Sequence, residues 1–203
     1  MLGAKILGKL GLQTALPEVS SAGDDDFACA YYENGLALAA EGLYSEAVKE
    51  FRKSIGKNWN AFEPHYELGK AYHELGEPEK AIKEFRTALR FCPNHVEAHK
   101  HLGLSYDAAG NSVEAIKIFM QALRMKLNAI DIRNHLAMAY FNIGSYAEAM
   151  KAYDQVLARA PDYAEAHYGL ALVHIDLKDR DLALMEHKQL LNLGQTELAA
   201  HVF

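Results

Sequence analysis

The stretch FEPHYELGKAYHELGEPEKAIKEFRTALRFCPNH, residues 62–95, decides the fold because the chain repeats it at its own length of 34 residues. Alanine recurs at this interval at Ala47, Ala81, Ala115, Ala149 and Ala183. Small residues recur in the same frame at Gly35, Gly69, Gly103, Ala137 and Ala171. A third series, Gly42, Gly76, Gly110 and Gly144, ends at Lys178. A fixed period of this length indicates a repeat protein in which each unit stacks on the next.

Each unit is predicted to form two helices. In the unit 62–95, apolar residues lie three and four positions apart over about 62–75 and again over about 79–91, which is the pattern of amphipathic helices. Gly76, between them, suits the left-handed residue that ends a helix. The unit is therefore a helix-turn-helix.

The residues Leu68-Gly69-x-x-Tyr72, Ala81, Phe85, Ala88 and Pro93, at these offsets, resemble the tetratricopeptide repeat (TPR) family. The resemblance covers residues 28–197. It implies an all-α fold, a right-handed α-solenoid of about five stacked helix-turn-helix repeats. The expected repeat bounds are 28–61, 62–95, 96–129, 130–163 and 164–197.

Two short segments flank these repeats. Residues 1–27 combine an apolar and basic segment, 1–16, with an acidic linker. A mobile terminus is one interpretation of residues 1–16. The other is a segment that makes weak contact with a partner, with a membrane surface or with the protein's own groove. Residues 198–203 are predicted to form a short C-terminal cap that lays Leu198, Val202 and Phe203 over the end of the stack.

Composition excludes several classes of protein. A net charge of −6 argues against a general nucleic-acid binder, which needs a basic stripe to neutralise phosphates. No run of 18 apolar residues is present, so no membrane-spanning helix is expected. Cys29 and Cys92 fall at different offsets of the repeat, which argues against a disulfide and for a reducing compartment. We expect a cytoplasmic location and leave open a peripheral position on a membrane or a large assembly.

Ten histidines raise the question of a metal site. His95 and His99 are four apart, but His95 falls in the loop before the helix, and neither cysteine has the paired spacing of a zinc site. Other histidines share the fourth position of their repeats, where we expect partly buried packing residues: His65, His99 and His167. The sequence therefore predicts no metal, no cofactor and no catalytic residue, and the protein is not expected to be an enzyme.

The resemblance to the TPR family implies that the first helix of each repeat lines a concave groove. The predicted partner-binding residues, carried over by repeat position, are Tyr32, Leu36, Glu63, Tyr66, Lys70, His73, Glu74, Lys100, Leu104, Asp107, Asn134, Met138, Phe141, Asn142, Tyr168, Leu172 and Asp176. Aromatic side chains supply rigid contact area and methionine adapts to its partner, so this set suits peptide recognition.

Charge is segregated between the two helix types. The first helices carry mostly carboxylates, among them Glu33, Glu67, Glu74, Glu97, Asp107, Asp131, Glu165 and Asp176, and few bases. The second helices carry an excess of lysine and arginine. The helix dipole explains part of this pattern, since several of these residues fall in first or last turns. The remainder predicts a groove of negative potential that prefers basic or apolar segments.

Two functions follow. The first is a non-catalytic interaction module, an adaptor or assembly factor, that binds an extended or helical segment of another protein in the groove. The alternative is a self-assembling structural or coat protein that oligomerises through its N-terminal helix or its C-terminal edge.

Overall fold

The computed structural model describes residues 24–57 and 61–202. Eleven α-helices account for most of this described part. They are α1 (Asp24–Ala40), α2 (Tyr44–Gly56), α3 (Phe62–Glu74), α4 (Pro78–Phe91), α5 (Val96–Ala108), α6 (Ser112–Met125), α7 (Ile130–Asn142), α8 (Tyr146–Leu157), α9 (Ala164–Asp176), α10 (Arg180–Asn192) and α11 (Thr196–Ala200). The two helices predicted in residues 62–95 are confirmed to within one residue by α3 and α4.

The helices pack in chain order as consecutive pairs. The odd-numbered helices α1 to α9, here called the first helices, each pack on the second helix that follows, α2 to α10. Each second helix then packs on the first helix of the next pair. The resulting structure is an α-solenoid of stacked helix-turn-helix units, as predicted. The division into repeats with the bounds given above stays a prediction.

Each of the five pairs turns through a residue in the left-handed conformation. Gly76 has φ of 70°, and Glu77 N–H donates back to Tyr72 O at 2.9 Å, which closes the end of α3. The same role falls to Gly42, Gly110, Gly144 and Gly194. Between α9 and α10 it falls to Lys178, with φ of 62°.

In each of the first three pairs, one phenylalanine ring packs against one glycine. Phe85 is fully buried, and a Cβ built on Gly69 would lie 2.8 Å from its Cε1 atom. Glycine is therefore required at this place, because any side chain would displace the ring. Ala81, fully buried on α4, lets the two helices approach from the other side. Truncation of a buried phenylalanine to alanine typically costs about 3–5 kcal/mol.

The last helix covers part of the C-terminal end. Ala199 and Val202 are buried and pack in one cluster with Ala171 and Leu190, while Leu198 is partly buried against it. Phe203 lies outside the described residues, as does the predicted N-terminal segment 1–16. Leu191 stays 47% exposed, so the described residues up to 202 leave part of this end uncovered.

Candidate binding face

The first helices form one continuous row. In addition to their second helices, α1 contacts α3, α3 contacts α5, α5 contacts α7, and α7 contacts α9. All seventeen predicted partner-binding residues lie on these five helices, and we call this set the binding face. Five of them are exposed: Leu36, Glu63, Glu74, Asn142 and Asp176. Asn134 is buried, and the others are half-buried.

Tyr66 lies at the centre of an aromatic cluster on α3. Its ring stacks on Phe62 at 5.2 Å and meets the edge of His101 at 5.8 Å. Lys70 Nζ lies 5.3 Å from the centre of the same ring. Burial raises the pKa of Tyr66 to about 12, with a smaller contribution from Glu67. The phenol therefore stays neutral and offers a hydrogen-bonding hydroxyl and an apolar ring.

Polar side chains of the binding face tie neighbouring first helices together. Lys100 Nζ on α5 lies 3.0 Å from Asp131 Oδ2 on α7 and 2.5 Å from Glu97 Oε2 on its own helix. Near the other end of the same helices, Asn142 Nδ2 donates to both oxygens of Asp107, at 3.1 and 3.0 Å. These bonds fix α5 against α7, so part of the predicted binding set also has a structural role.

Asn134 differs from its neighbours because its side chain is 6% exposed and its Oδ1 atom has no hydrogen-bond partner within the described residues. A buried amide oxygen without a donor costs about 1–3 kcal/mol. Within the described part of the chain, α7 therefore carries an unsatisfied acceptor among the residues of the binding face.

Both lysines of the binding face are paired with carboxylates. Lys70 Nζ lies 2.8 Å from Glu67 Oε2, and Lys100 is held by Glu97 and Asp131. Burial alone would raise the pKa of Asp131, but the hydrogen bond and the charge of Lys100, together with the Ile132 N–H, outweigh burial and lower that pKa. Exposed Glu63 and Glu74 on α3 and Glu165 on α9 add to the acidic side chains of the first helices.

Two histidines of the first helices were not among the predicted partner-binding residues. His101 on α5 and His135 on α7 lie one repeat apart, next to Lys100 and Asn134 in the chain. Each ring stacks on a buried phenylalanine of the preceding pair. The sequence does contain a pattern that indicates them, because His101 and His135 occupy the same position of two consecutive repeats. The partner-binding positions that the TPR resemblance implies do not include these two.

The histidines predicted to pack inside the solenoid are buried. His65 Nδ1 lies 2.7 Å from Glu84 Oε2, and His167 Nδ1 lies 2.6 Å from Glu186 Oε2, so each joins the two helices of its own pair. His99 bonds the carbonyl oxygen of His95. Across residues 24–57 and 61–202, no group of three or more His, Cys, Asp or Glu residues is arranged to hold a metal ion. Within those bounds, too, no helix combines the length and apolar character needed to cross a bilayer.

The fold defines the class of this protein: an α-solenoid built from repeated helical hairpins. Family models described as "TPR repeat" and "Tetratricopeptide repeat" match residues 69–110 and 134–187. The chain is a tetratricopeptide repeat protein, a member of a family of protein-interaction modules that are generally non-catalytic.

Solved structures show the same fold. A MamA protein is 22% identical, with a TM-score of 0.74 over 85% of this chain and 94% of the other. MamA from Desulfovibrio magneticus RS-1 is 19% identical, with a TM-score of 0.77 over 84% and 97% of the two chains. YrrB, a TPR protein with an unusual peptide-binding site, is 19% identical, with a TM-score of 0.70 over 98% and 95%. No curated protein matches the sequence.

Proposed function

We propose that this protein binds an extended or helical segment of another protein along its binding face and acts without catalysis, as an adaptor or assembly factor. The observation that carries the proposal is the continuous row of first helices. Together they present tyrosine, methionine and carboxylate side chains that the packing of the solenoid leaves exposed or half-buried. Such a row offers an elongated surface to an elongated ligand. The unusual peptide-binding site of YrrB is in keeping with this use of the fold.

We propose further that the preferred segment is basic or apolar. Lys70 and Lys100 are neutralised by carboxylates within the protein, so neither is free to attract an acidic ligand. Exposed Glu63, Glu74 and Glu165 remain to attract a basic one. Complementary charge of this kind mainly raises the association rate and the specificity of binding.

The test of this proposal is a charge reversal that spares the packing. The variant Glu63→Lys/Glu74→Lys/Glu165→Lys changes exposed carboxylates of the first helices. The matched control, Glu46→Lys/Glu79→Lys/Glu148→Lys, changes three exposed carboxylates of second helices. Both variants alter the net charge by the same amount. Reversal of Glu67 or Asp107 is less suitable, because both bond to neighbouring side chains.

In affinity capture, a partner bound by the wild type should be lost from the first variant and kept by the control. Its binding to the wild type should weaken as salt is raised, since exposed charges are screened. A partner retained equally by both variants would refute the assignment of the binding face. A partner lost from the first variant but insensitive to salt would refute the preference for basic segments.

Self-association through the C-terminal edge is a second candidate, and Leu191 favours it. Leu191 is 47% exposed, whereas its counterparts Leu89, Leu123 and Leu157 are buried or half-buried. Light scattering after size exclusion tests the idea on the full chain and on Leu191→Lys. A concentration-dependent oligomer that Leu191→Lys abolishes supports it, and a monomer at every concentration refutes it.

A further inference from the structure

Two histidines lie at the joints between consecutive helix pairs. The ring of His101 on α5 lies 5.7 Å from the ring of Phe85 on α4, with 19° between the planes. The ring of His135 on α7 lies 6.0 Å from the ring of Phe119 on α6, with 24° between the planes. Phe85 and Phe119 are fully buried. Each histidine therefore forms part of the contact by which one pair packs on the preceding pair.

These two rings differ from the histidines that join the helices of a single pair. His65 and His167 each have a glutamate carboxylate oxygen within hydrogen-bond distance of the imidazole. Within the described residues, neither His101 nor His135 has such a hydrogen-bond partner. Each ring is half-buried and lies flat against a fully buried phenylalanine, so a charge on it would be partly shielded from water.

The charged groups around His101 also disfavour its protonation. Three neighbours disfavour a proton on His101: Lys100 from α5, and Lys70 and His73 from α3. Glu97 from α5 has the opposite effect and favours the proton. Burial, followed by these lysines, lowers the pKa of His101 to about 4.

Around His135 the charges are more balanced. Asp131 from α7, Asp107 from α5 and Glu165 from α9 favour its protonation, and Lys100 opposes it. Burial is the largest effect and lowers the pKa of His135.

We propose that His101 and His135 make the middle of the solenoid a pH-sensitive joint, in which mildly acidic solution loosens the packing of α5 and α7 on the pairs before them. When these contacts open, water reaches the imidazoles and they bind protons, so acid favours the open state. The next joint lacks the device. Gly169 occupies the corresponding place on α9 and packs on Tyr153, so no histidine occupies that place. This behaviour does not depend on the proposed partner binding, because it concerns the packing of the protein alone.

Hydrogen exchange of the full chain at pH 7 and pH 5, corrected for the intrinsic exchange rates, tests this proposal. Local opening of α5 and α7 should increase on the order of tenfold more than that of α9 in the wild type. In His101→Gln/His135→Gln this excess should disappear. In His201→Gln, which changes an exposed histidine, it should remain.

An acid effect of the same size in the double variant, an equal effect on α9, or no effect would each overturn the proposal. If the double variant does not fold, NMR titration of the wild-type imidazoles decides the matter. A midpoint for His101 well below 6 supports the joint, and a midpoint near that of a free histidine overturns it.

Discussion

Tyr153 on α8 packs on Gly169 of the next pair so closely that a Cβ at residue 169 would lie 2.2 Å from the ring atom Cζ. In the earlier pairs, the aromatic ring packs on the glycine of its own pair, as Phe119 does on Gly103. The fourth pair has Ala137 in place of that glycine. Ala137 and Tyr153 lie in the same buried cluster, and the Tyr153 ring also reaches α9 at a place where only glycine leaves room.

Gly169→Ala is therefore expected to destabilise the protein. Tyr153 is fully buried and its ring would have to shift, so the added methyl group overpacks the joint by about 1–3 kcal/mol. Gly56→Ala is the control, because a Cβ at Gly56 would have no atom within 4 Å. Urea unfolding followed by circular dichroism measures both. Equal free energies of unfolding for Gly169→Ala and the wild type would contradict this account of the joint.

The sequence predicts the helices and their pairing because these depend on local patterns that recur every 34 residues. Gly69, Ala81 and Phe85 are dictated by the repeat, and the structure places them as expected. The stacking of His101 on Phe85 and the bonds from Asn142 to Asp107 were not predicted. Both contacts depend on the rotation of one helix pair relative to the next. They also depend on the rotamers of the side chains that this rotation brings together. A repeat pattern contains neither quantity.

Lys178→Gly is expected to stabilise the protein. Lys178 has φ of 62°, at a turn where the other units use glycine. A left-handed conformation costs a residue with a Cβ about 1 kcal/mol relative to glycine. Lys178→Ala removes the same charge but keeps the Cβ, so it should show no such gain. Thermal unfolding of the three proteins gives the comparison, and a gain shared by both variants would assign the effect to charge instead.

Asn134→Leu is expected to raise the free energy of unfolding while weakening partner binding. The substitution removes a buried Oδ1 atom that has no donor within the described residues, which relieves about 1–3 kcal/mol. Asn142→Leu is a useful contrast, since it removes two hydrogen bonds to Asp107 and should not stabilise the protein. Denaturant unfolding and affinity capture are measured on the same variants. A destabilised Asn134→Leu would show that the amide has a partner in solution.

Lys100→Met is expected to cost more stability than Lys117→Met. Both lysines pair with a glutamate three residues earlier, at 2.5 Å. Lys100 is largely buried and also binds Asp131 on the next first helix, whereas the Lys117 side chain is 63% exposed. Loss of Lys100 leaves Glu97 and Asp131 facing each other unneutralised, while an exposed pair contributes at most about 1 kcal/mol. The measurement is the urea midpoint of each variant relative to the wild type. Equal shifts of the midpoint for the two variants would show that the contact of Lys100 with Asp131 between α5 and α7 adds nothing to stability.

His101 is expected to make the protein less stable in acid. Its pKa is about 4 in the folded protein and near 6.5 in the unfolded chain, so between these values the unfolded chain binds more protons. The stabilising contribution is complete above about pH 6.5 and is lost as the pH falls toward 4, for a total of about 3 kcal/mol. His101→Gln should therefore lose less stability than the wild type between pH 7 and pH 5. His174→Gln serves as the control, because it removes a histidine of α9 that is not at the joints of α5 and α7. Parallel stability curves for His101→Gln and the wild type would mean that the His101 ring titrates alike in both states.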